Sequence, residues 1–459
     1  MHSKPKRLFS ARNLYALGRG RIPGQVIVQM TDRCNAQCPQ CEMRVSHRFD
    51  RSSLDKENIE RILEAAAKRG VAAVSFTGGE PFLYFEPLIE MIRRAGELGI
   101  PLIRTGTSGY FLRHHKKKDF RKKMEEIAEP LANTPIRNFW FSIDSADASV
   151  HDKIRGFPGV FEGIAKSIPI FHEYGIWPTA NLGVNRFLGG TALRLAENPS
   201  QGQCDEFYAN CLDALARFYS TVIDAGFTIV NFCYPMSIES QPERNLDSVY
   251  LASSADDMVN FRRDEKALLF KAMSEAVAKY RDRIRIFTPR NMLHSLVHQY
   301  RHGEEHGYAC RGGKDFFFIS AADGNTYPCG FRAKDNLGKF WSMPDASRDS
   351  EEHCTRCDWE CFRDPSNTLG PFYELSHSPG KLIKRLLDDQ TWTRLWWQDL
   401  QYQRAADFCN GRLAPDYSSL AKYSLQPKLP TNRNPRDWRP AVWQKISSIE
   451  LKKMLTLDH

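Results

Sequence analysis

Three cysteines fall within eight positions of this 459-residue chain, Cys34, Cys38 and Cys41, in the run TDRCNAQCPQCEM. A C-x3-C-x2-C array of soft thiolates on one loop suits the iron of a [4Fe-4S] cluster. Such a cluster takes four ligands, so three cysteines leave one iron open to a substrate or cofactor. The competing reading is a zinc knuckle that borrows a distant fourth ligand. A second group lies downstream: Cys310, Gly324 and Cys329 spaced C-x13-G-x4-C, then Cys354, Cys357 and Cys361 spaced C-x2-C-x3-C. On chemistry alone this group also fits a zinc ribbon.

The elements that must position these thiols follow from periodicity. Apolar, β-rich runs at 25–31, 72–78, 101–107, 138–144, 179–185 and 227–234 alternate with amphipathic stretches such as 54–68 and 87–98. That alternation predicts βαβ units on a parallel sheet, with chemistry at the carboxyl ends of the strands. The fold expected is α/β: a partial (β/α)6 barrel like an open TIM barrel, then a small Cys-rich segment and a helical C-terminal extension. The boundaries expected are a basic arm at 1–24, the barrel at 25–295 with a helical insertion at about 187–225, the Cys-rich domain at 296–369 and a Trp-rich extension at 370–459.

Composition narrows the class. Hydrophobic residues at 42% and charged ones at 26% are ordinary for a globular chain, and no run nears the roughly 18 apolar residues of a membrane span. The N-terminus, MHSKPKRLFSARN, has no apolar core behind its basic residues, so a cytoplasmic chain is expected. Twelve cysteines in a reducing compartment point to metal ligands and catalytic thiols rather than disulfides. Cys204 and Cys211 are read as ordinary thiols on different helix faces, and Cys233 as a buried strand residue open to substrate contact. The net charge of +9 concentrates in the N-terminal arm and in Arg113 to Lys123. No nucleic-acid-binding module accompanies these runs.

The motif in its position after the first strand resembles the radical S-adenosylmethionine (radical SAM) superfamily. The resemblance extends to TGGEP (Thr77 to Pro81) after the second strand, to TGTSG (Thr105 to Gly109) after the third, and to NFWFSIDSADASVHDKIRG (138–156) around the fourth. It implies cofactor contacts from Gly78, Gly79 and Glu80 to the amino group of SAM, and from Thr107, Ser142, Asp144 and Asn181 (or Asn185) around the ribose and carboxylate. The family's usual aromatic residue before the third cysteine is Gln40 here, whose amide can still meet adenine. The implied reaction is reductive cleavage of SAM to a 5′-deoxyadenosyl radical that abstracts hydrogen from an organic substrate.

The second cysteine group resembles SPASM and twitch domains, extensions of that superfamily that carry auxiliary [4Fe-4S] clusters. Six cysteines from Cys310 onward, including Cys409, fall short of the eight that two clusters need, so one auxiliary cluster is expected. Cys310 and Cys329 are its expected ligands with two of Cys354, Cys357 and Cys361; Cys354 and Cys357 are favoured, leaving Cys361 as a replacement ligand or a thiol beside substrate. Cys361, Cys233 and Tyr308 are the candidate catalytic residues. An acidic flavodoxin or ferredoxin is the expected electron donor. With 33 residues ahead of Cys34, a small molecule, lipid or protein side chain is expected ahead of a leader-bound peptide, unless a separate partner supplies recognition. A non-enzymatic iron-sulfur or zinc scaffold is the alternative from another class. The segment 380–403 reads as one amphipathic helix, packed on the barrel or lying at a membrane surface.

Overall fold

Glutamine, isoleucine and threonine alternate with valine and methionine along β1 (Gln25–Thr31), and the alternation sorts the strand's two faces. Val26, Val28 and Met30 join the large apolar core, while Gln25 donates to Ser75 Oγ at 3.0 Å and Gln29 accepts from the Ala321 N–H at 3.2 Å on the opposite face. Both faces are covered, so every residue of the strand is buried.

The computed structural model describes residues 16–18, 20–44, 50–237, 245–252, 254–344 and 354–424. The basic arm before Ala16, and Trp438 and Trp443, lie outside the described residues. Six parallel strands follow β1 in chain order: β2 (Ala73–Gly78), β3 (Leu102–Thr107), β4 (Asn138–Ile143), β5 (Thr179–Gly183), β6 (Ile229–Cys233) and the short β7 (Arg285–Ile286). The connecting helices are α1 (Lys56–Arg69), α2 (Phe85–Glu97), α3 (Phe120–Ala132), the pair α4 (Ala148–Arg155) and α5 (Val160–Glu173), then α6 (Gln201–Asp224) and α7 (Arg263–Tyr280). Asp55 caps α1 by accepting the Asn58 N–H at 2.7 Å, and Gly70 ends it in the left-handed conformation.

The expected six-stranded α/β unit is therefore present. The helix read as an insertion is α6 itself, the crossover from β5 to β6; the added residues form the 184–200 loop before it. Cys204 and Cys211, seven residues apart on α6, share a face rather than opposing one another.

The Cys-rich segment continues the same sheet instead of standing apart. After α8 (Arg290–His302), β8 (Phe316–Ile319) pairs parallel with β1, Gln25 opposite Phe316, and β9 (Thr326–Tyr327) pairs antiparallel with β8. The order is β7-β6-β5-β4-β3-β2-β1-β8-β9, an open sheet with β7 and β9 at its edges.

Helices α9 (Glu360–His377), α10 (Pro379–Asp388) and α11 (Gln390–Ala406) follow, then the single turn α12 (Tyr417–Leu420). The stretch 380–403 thus divides at Asp389, whose carboxylate accepts the Trp392 N–H at 2.7 Å and starts a new helix. Trp392 is buried, donating from Nε1 to Ser295 Oγ at 3.1 Å, and stacks on Trp396, which donates to the Thr368 carbonyl at 2.8 Å. Arg281 pairs with Asp399 at 2.8 Å, fixing α11 against the barrel end. Among the described residues no helix is long and apolar enough to cross a membrane.

Candidate functional site

The cysteine loop leaves β1 and is stitched to the loop after β2. Gly79 donates to the Thr31 carbonyl at 2.7 Å and Glu80 to the Arg33 carbonyl at 2.9 Å. A Cβ on Gly78 would stand 2.3 Å from the Thr31 oxygen, and one on Gly79 would stand 2.3 Å from the Arg33 oxygen. The two glycines therefore let one loop lie directly on the other. The buried carboxylate of Glu80, near enough to Cys34 to act on that thiol's ionisation, accepts from the N–H groups of Phe82 (3.0 Å) and Ser108 (2.8 Å) and from Ser108 Oγ (2.6 Å). Burial raises its pKa against these donors. Thr107, also buried, accepts from the Gly109 N–H at 3.0 Å, so it braces the same junction.

Cys34, Cys38 and Cys41 converge on one side of this junction, near enough to act on one another's ionisation. Burial pushes Cys34 up to about 11 and Cys41 up to about 12, with neighbouring thiols adding to the rise. Cys38 is the most enclosed, and Arg155 from the end of α4 comes within 3.6 Å of its Sγ. Arg155 also holds Asp144 at the end of β4, with contacts of 2.9 and 2.5 Å. Burial opposes the arginine's charge, but Asp144 and Cys38 outweigh it and raise its pKa. Asp144 is thus fixed by Arg155, and its backbone N–H donates to His151 Nδ1 at 3.1 Å. Burial pushes His151 down to about 3, so it stays neutral. Asn185 is spent on the carbonyls of Asp144 and Gly183, both at 2.7 Å, leaving Asn181 as the asparagine of β5 that faces inward.

This arrangement fits the groups that the sequence implies. Three soft thiols beside a fixed cation suit a cluster with one open iron. Gln40 adds a buried Oε1 without a hydrogen-bond partner among the described residues, an acceptor for an exocyclic amine such as that of adenine.

Below the loop, the inward-facing residues form a polar cluster. Asn231 on β6 donates to Asn181 Oδ1 at 2.7 Å, and Asn181 reaches Cys233 Sγ at 3.3 Å. Cys361, in the first turn of α9, contacts Glu360 Oε1 at 3.4 Å, and Glu360 lies beside Cys233. Burial raises the pKa of both thiols well above the usual range, with Glu360 adding to it, and burial raises Glu360 too. Ser142 on β4 is half-buried opposite Asn181.

The rest of this face carries no motif in the sequence. Arg104 on β3 acts electrostatically on Cys233 and Cys361, and its Nε has no hydrogen-bond partner among the described residues. Trp140 lies over Gly106, where a Cβ would come within 2.2 Å of the ring. Tyr250 places its hydroxyl 3.1 Å from Thr77 Oγ1, close enough to Cys41, Cys361 and Cys233 for each to act on it. The signal for Tyr250 was available: it stands in the loop after β6, at the end of the sheet where parallel folds hold their chemistry.

Cys310, Cys329, Cys354 and Cys357 line one small cavity that Trp359 and Phe362 close. The Cys310 N–H donates to the Cys354 carbonyl at 2.9 Å, which joins the two halves of the motif. Burial pushes Cys310 up to about 11 and Cys357 up to about 12, each raised further by Cys354. Four thiols around one apolar cavity suit a buried cluster. Cys361 is outside this cavity, on the inward face. Tyr308 is elsewhere: its hydroxyl donates to Glu374, its ring lies under Arg385 and beside Trp392, and it serves the packing of α9 to α11.

Residues 28–190 match the sequence model of the Radical SAM superfamily. The probable GTP 3′,8-cyclase of Thermococcus kodakarensis is 27% identical over 169 residues, 36% of this chain and 50% of that one. The PqqA peptide cyclase of Rhodopseudomonas palustris is 30% identical over 149 residues, 32% of this chain and 35% of that one. The chain thus spans half or less of the length of these curated relatives. The structure of Streptococcus suis SuiB bound to S-adenosylmethionine aligns with a TM-score of 0.45 and 17% identity, covering 67% of this chain and 60% of that one.

Proposed function

Because residues 28–190 carry a radical SAM domain, we propose that the protein is a radical SAM enzyme acting on a polar organic substrate held against the inward face of the sheet. Cys34, Cys38 and Cys41 would hold a [4Fe-4S] cluster and its open iron would take SAM. Bound there, these groups would supply one-electron cleavage of SAM and the hydrogen-abstracting radical chemistry that follows from it. Gln40 would receive the adenine amine, and Ser142 and Asn181 stand where ribose or substrate hydroxyls would meet them. Gly78, Gly79, Glu80 and Thr107 would act by fixing the two loops together, and Asp144 by holding Arg155 against Cys38.

One observation carries this reading: the segment bearing Tyr250 reaches the cysteine loop, where Cys41 Sγ lies 3.3 Å from the Leu251 carbonyl, and Tyr250 is near enough to Cys233 and Cys361 for each to act on it. Arg104, Asn181, Asn231 and Glu360 are suited to a substrate with polar or charged groups, which favours a small polar molecule or a polar peptide side chain over a lipid chain. The named relatives act on a nucleotide and on a peptide, and both classes fit such a face. Cys361 and Cys233 would lie beside the substrate. A second [4Fe-4S] cluster is assigned to Cys310, Cys329, Cys354 and Cys357.

The exposed Lys116, Lys117 and Lys118 follow β3 at the end of the sheet that bears the cysteine loop, and suit an acidic flavodoxin or ferredoxin as electron donor. Membrane contact is kept only for α10, where Ile383 and Leu387 are exposed beside Lys384. Liposome co-sedimentation with anionic lipid tests it, and protein left wholly in the supernatant at low salt removes it. The enzymatic reading is tested by incubating reconstituted, reduced protein with SAM: 5′-deoxyadenosine is expected, and its absence with an active reductant favours an electron-transfer scaffold.

A further inference from the structure

A cluster outside both cysteine groups brings together residues from three parts of the chain. His294 and His298 stand four residues apart on α8 and share a face. The chain returns after the helix to set His306 against them, with ring centroids 5.4 Å from His294 and 4.4 Å from His298. Asp389, between α10 and α11, closes the group. Nε2 of His294 is 2.9 Å and Nε2 of His306 is 3.0 Å from the same oxygen, Asp389 Oδ2. The three ligand atoms lie within 4.8 Å of one another. The other carboxylate oxygen, Oδ1, is taken by the Trp392 N–H at 2.7 Å.

The hydrogen bonds around His306 allow a metal-binding tautomer. Ser295 has one hydroxyl proton, which it donates to the Asn291 carbonyl at 3.1 Å, and it accepts from Trp392 Nε1 at 3.1 Å. His306 Nδ1 lies 3.1 Å from the same Oγ, and with its proton on Nδ1 it donates there. In that tautomer the Nε2 lone pair and Asp389 Oδ2, 3.0 Å apart, can both face one cation. His294 turns a nitrogen to the same oxygen. Nearby, His298 Nδ1 is buried with no hydrogen-bond partner among the described residues.

We propose that His294, His306 and Asp389, with His298 as the fourth ligand after a side-chain rotation, bind a divalent first-row transition metal, with zinc as the ion that fits best. Two or three imidazole nitrogens and one carboxylate oxygen are a zinc donor set, and ligands about 2.1 Å from a tetrahedral zinc stand about 3.4 Å apart. The two nitrogen–oxygen spacings of 2.9 and 3.0 Å reach that by opening roughly half an ångström. Ser295 behind His306 and the Trp392 N–H behind Asp389 are the outer contacts that orient metal ligands. The ion would staple the α10–α11 junction to the loop that leads from α8 to Cys310. It would thereby hold the C-terminal helices on the segment that supplies the second group of thiols.

The test uses the full chain, purified anaerobically with its clusters, treated with a mild chelator, given zinc sulfate and desalted. Expected is about one zinc per chain, with only nitrogen and oxygen neighbours in the zinc K-edge absorption spectrum. Retention should fall at least tenfold in His294→Ala and in Asp389→Asn while iron content stays unchanged. Asparagine still caps a helix, so Asp389→Asn removes the ligand charge and keeps the start of α11. No zinc retained by the wild type, sulfur neighbours around the zinc, or wild-type zinc content in both variants would overturn the assignment.

Discussion

Arg155 Nη1 stands 3.6 Å from Cys38 Sγ while Nη2 donates to Asp144 Oδ1 at 2.9 Å, so one guanidinium ties the end of β4 to the cysteine loop. A fixed cation beside a ligand sulfur favours the reduced, more negative cluster. Arg155→Met should make the potential of this cluster more negative and slow SAM cleavage by roughly 10- to 100-fold. Arg155→Lys should recover part of the loss. An EPR-monitored redox titration decides it, and an unchanged potential in the Met variant would contradict the role.

The four thiols around the small cavity, Cys310, Cys329, Cys354 and Cys357, should behave differently from Cys361. Cys354→Ala and Cys357→Ala are each expected to lower iron from about eight to about four atoms per chain, whereas Cys361→Ala keeps about eight. Iron and sulfide analysis of the three variants is the check. Loss of iron on removing Cys361 would return it to the ligand set.

Glu360 gives a pH-dependent signature. Burial raises its folded pKa above the unfolded value, so its contribution to stability is complete below the unfolded pKa and is lost as pH rises through the folded one. Glu360→Gln removes that loss. The apparent Tm of the variant should exceed the wild type's more at pH 8.5 than at pH 5, just above the ordinary carboxylate range where the loss begins, by about 2 °C or more. An equal offset at both pH values would show that the carboxyl group does not titrate there.

The charge-reversed variant Lys116→Glu/Lys117→Glu/Lys118→Glu should slow turnover driven by a flavodoxin or ferredoxin about tenfold or more at low salt and weaken its salt dependence. Turnover driven by dithionite should stay normal. Equal slowing with both reductants would point to damaged structure rather than lost docking.

These residues also show what a sequence can reveal. Cys34, Cys38 and Cys41 are legible because their chemistry is contiguous, and β1 to β6 because each is a short apolar run between amphipathic helices. The proximity of Arg104, Trp140 and Glu360 was not legible, because they come from β3, β4 and α9, far apart in the sequence. Cys354, Cys357 and Cys361 look like one motif in the sequence, yet α9 begins between them at Glu360 and turns Cys361 onto the other face. The pairing of β8 with β1 spans nearly three hundred positions and leaves no local trace. The break at Asp389 was readable in principle, since an aspartate three residues before Trp392 is an N-cap pattern that interrupts the helical spacing.

The central claim is that the loop bearing Cys34, Cys38 and Cys41 supports radical chemistry on SAM. The most direct measurement is 5′-deoxyadenosine formed by anaerobically reconstituted, reduced protein, beside the Cys34→Ala/Cys38→Ala/Cys41→Ala variant. The wild type should form it, and the variant should form none while keeping about four of about eight iron atoms per chain. 5′-Deoxyadenosine from the variant at the wild-type rate would contradict the account.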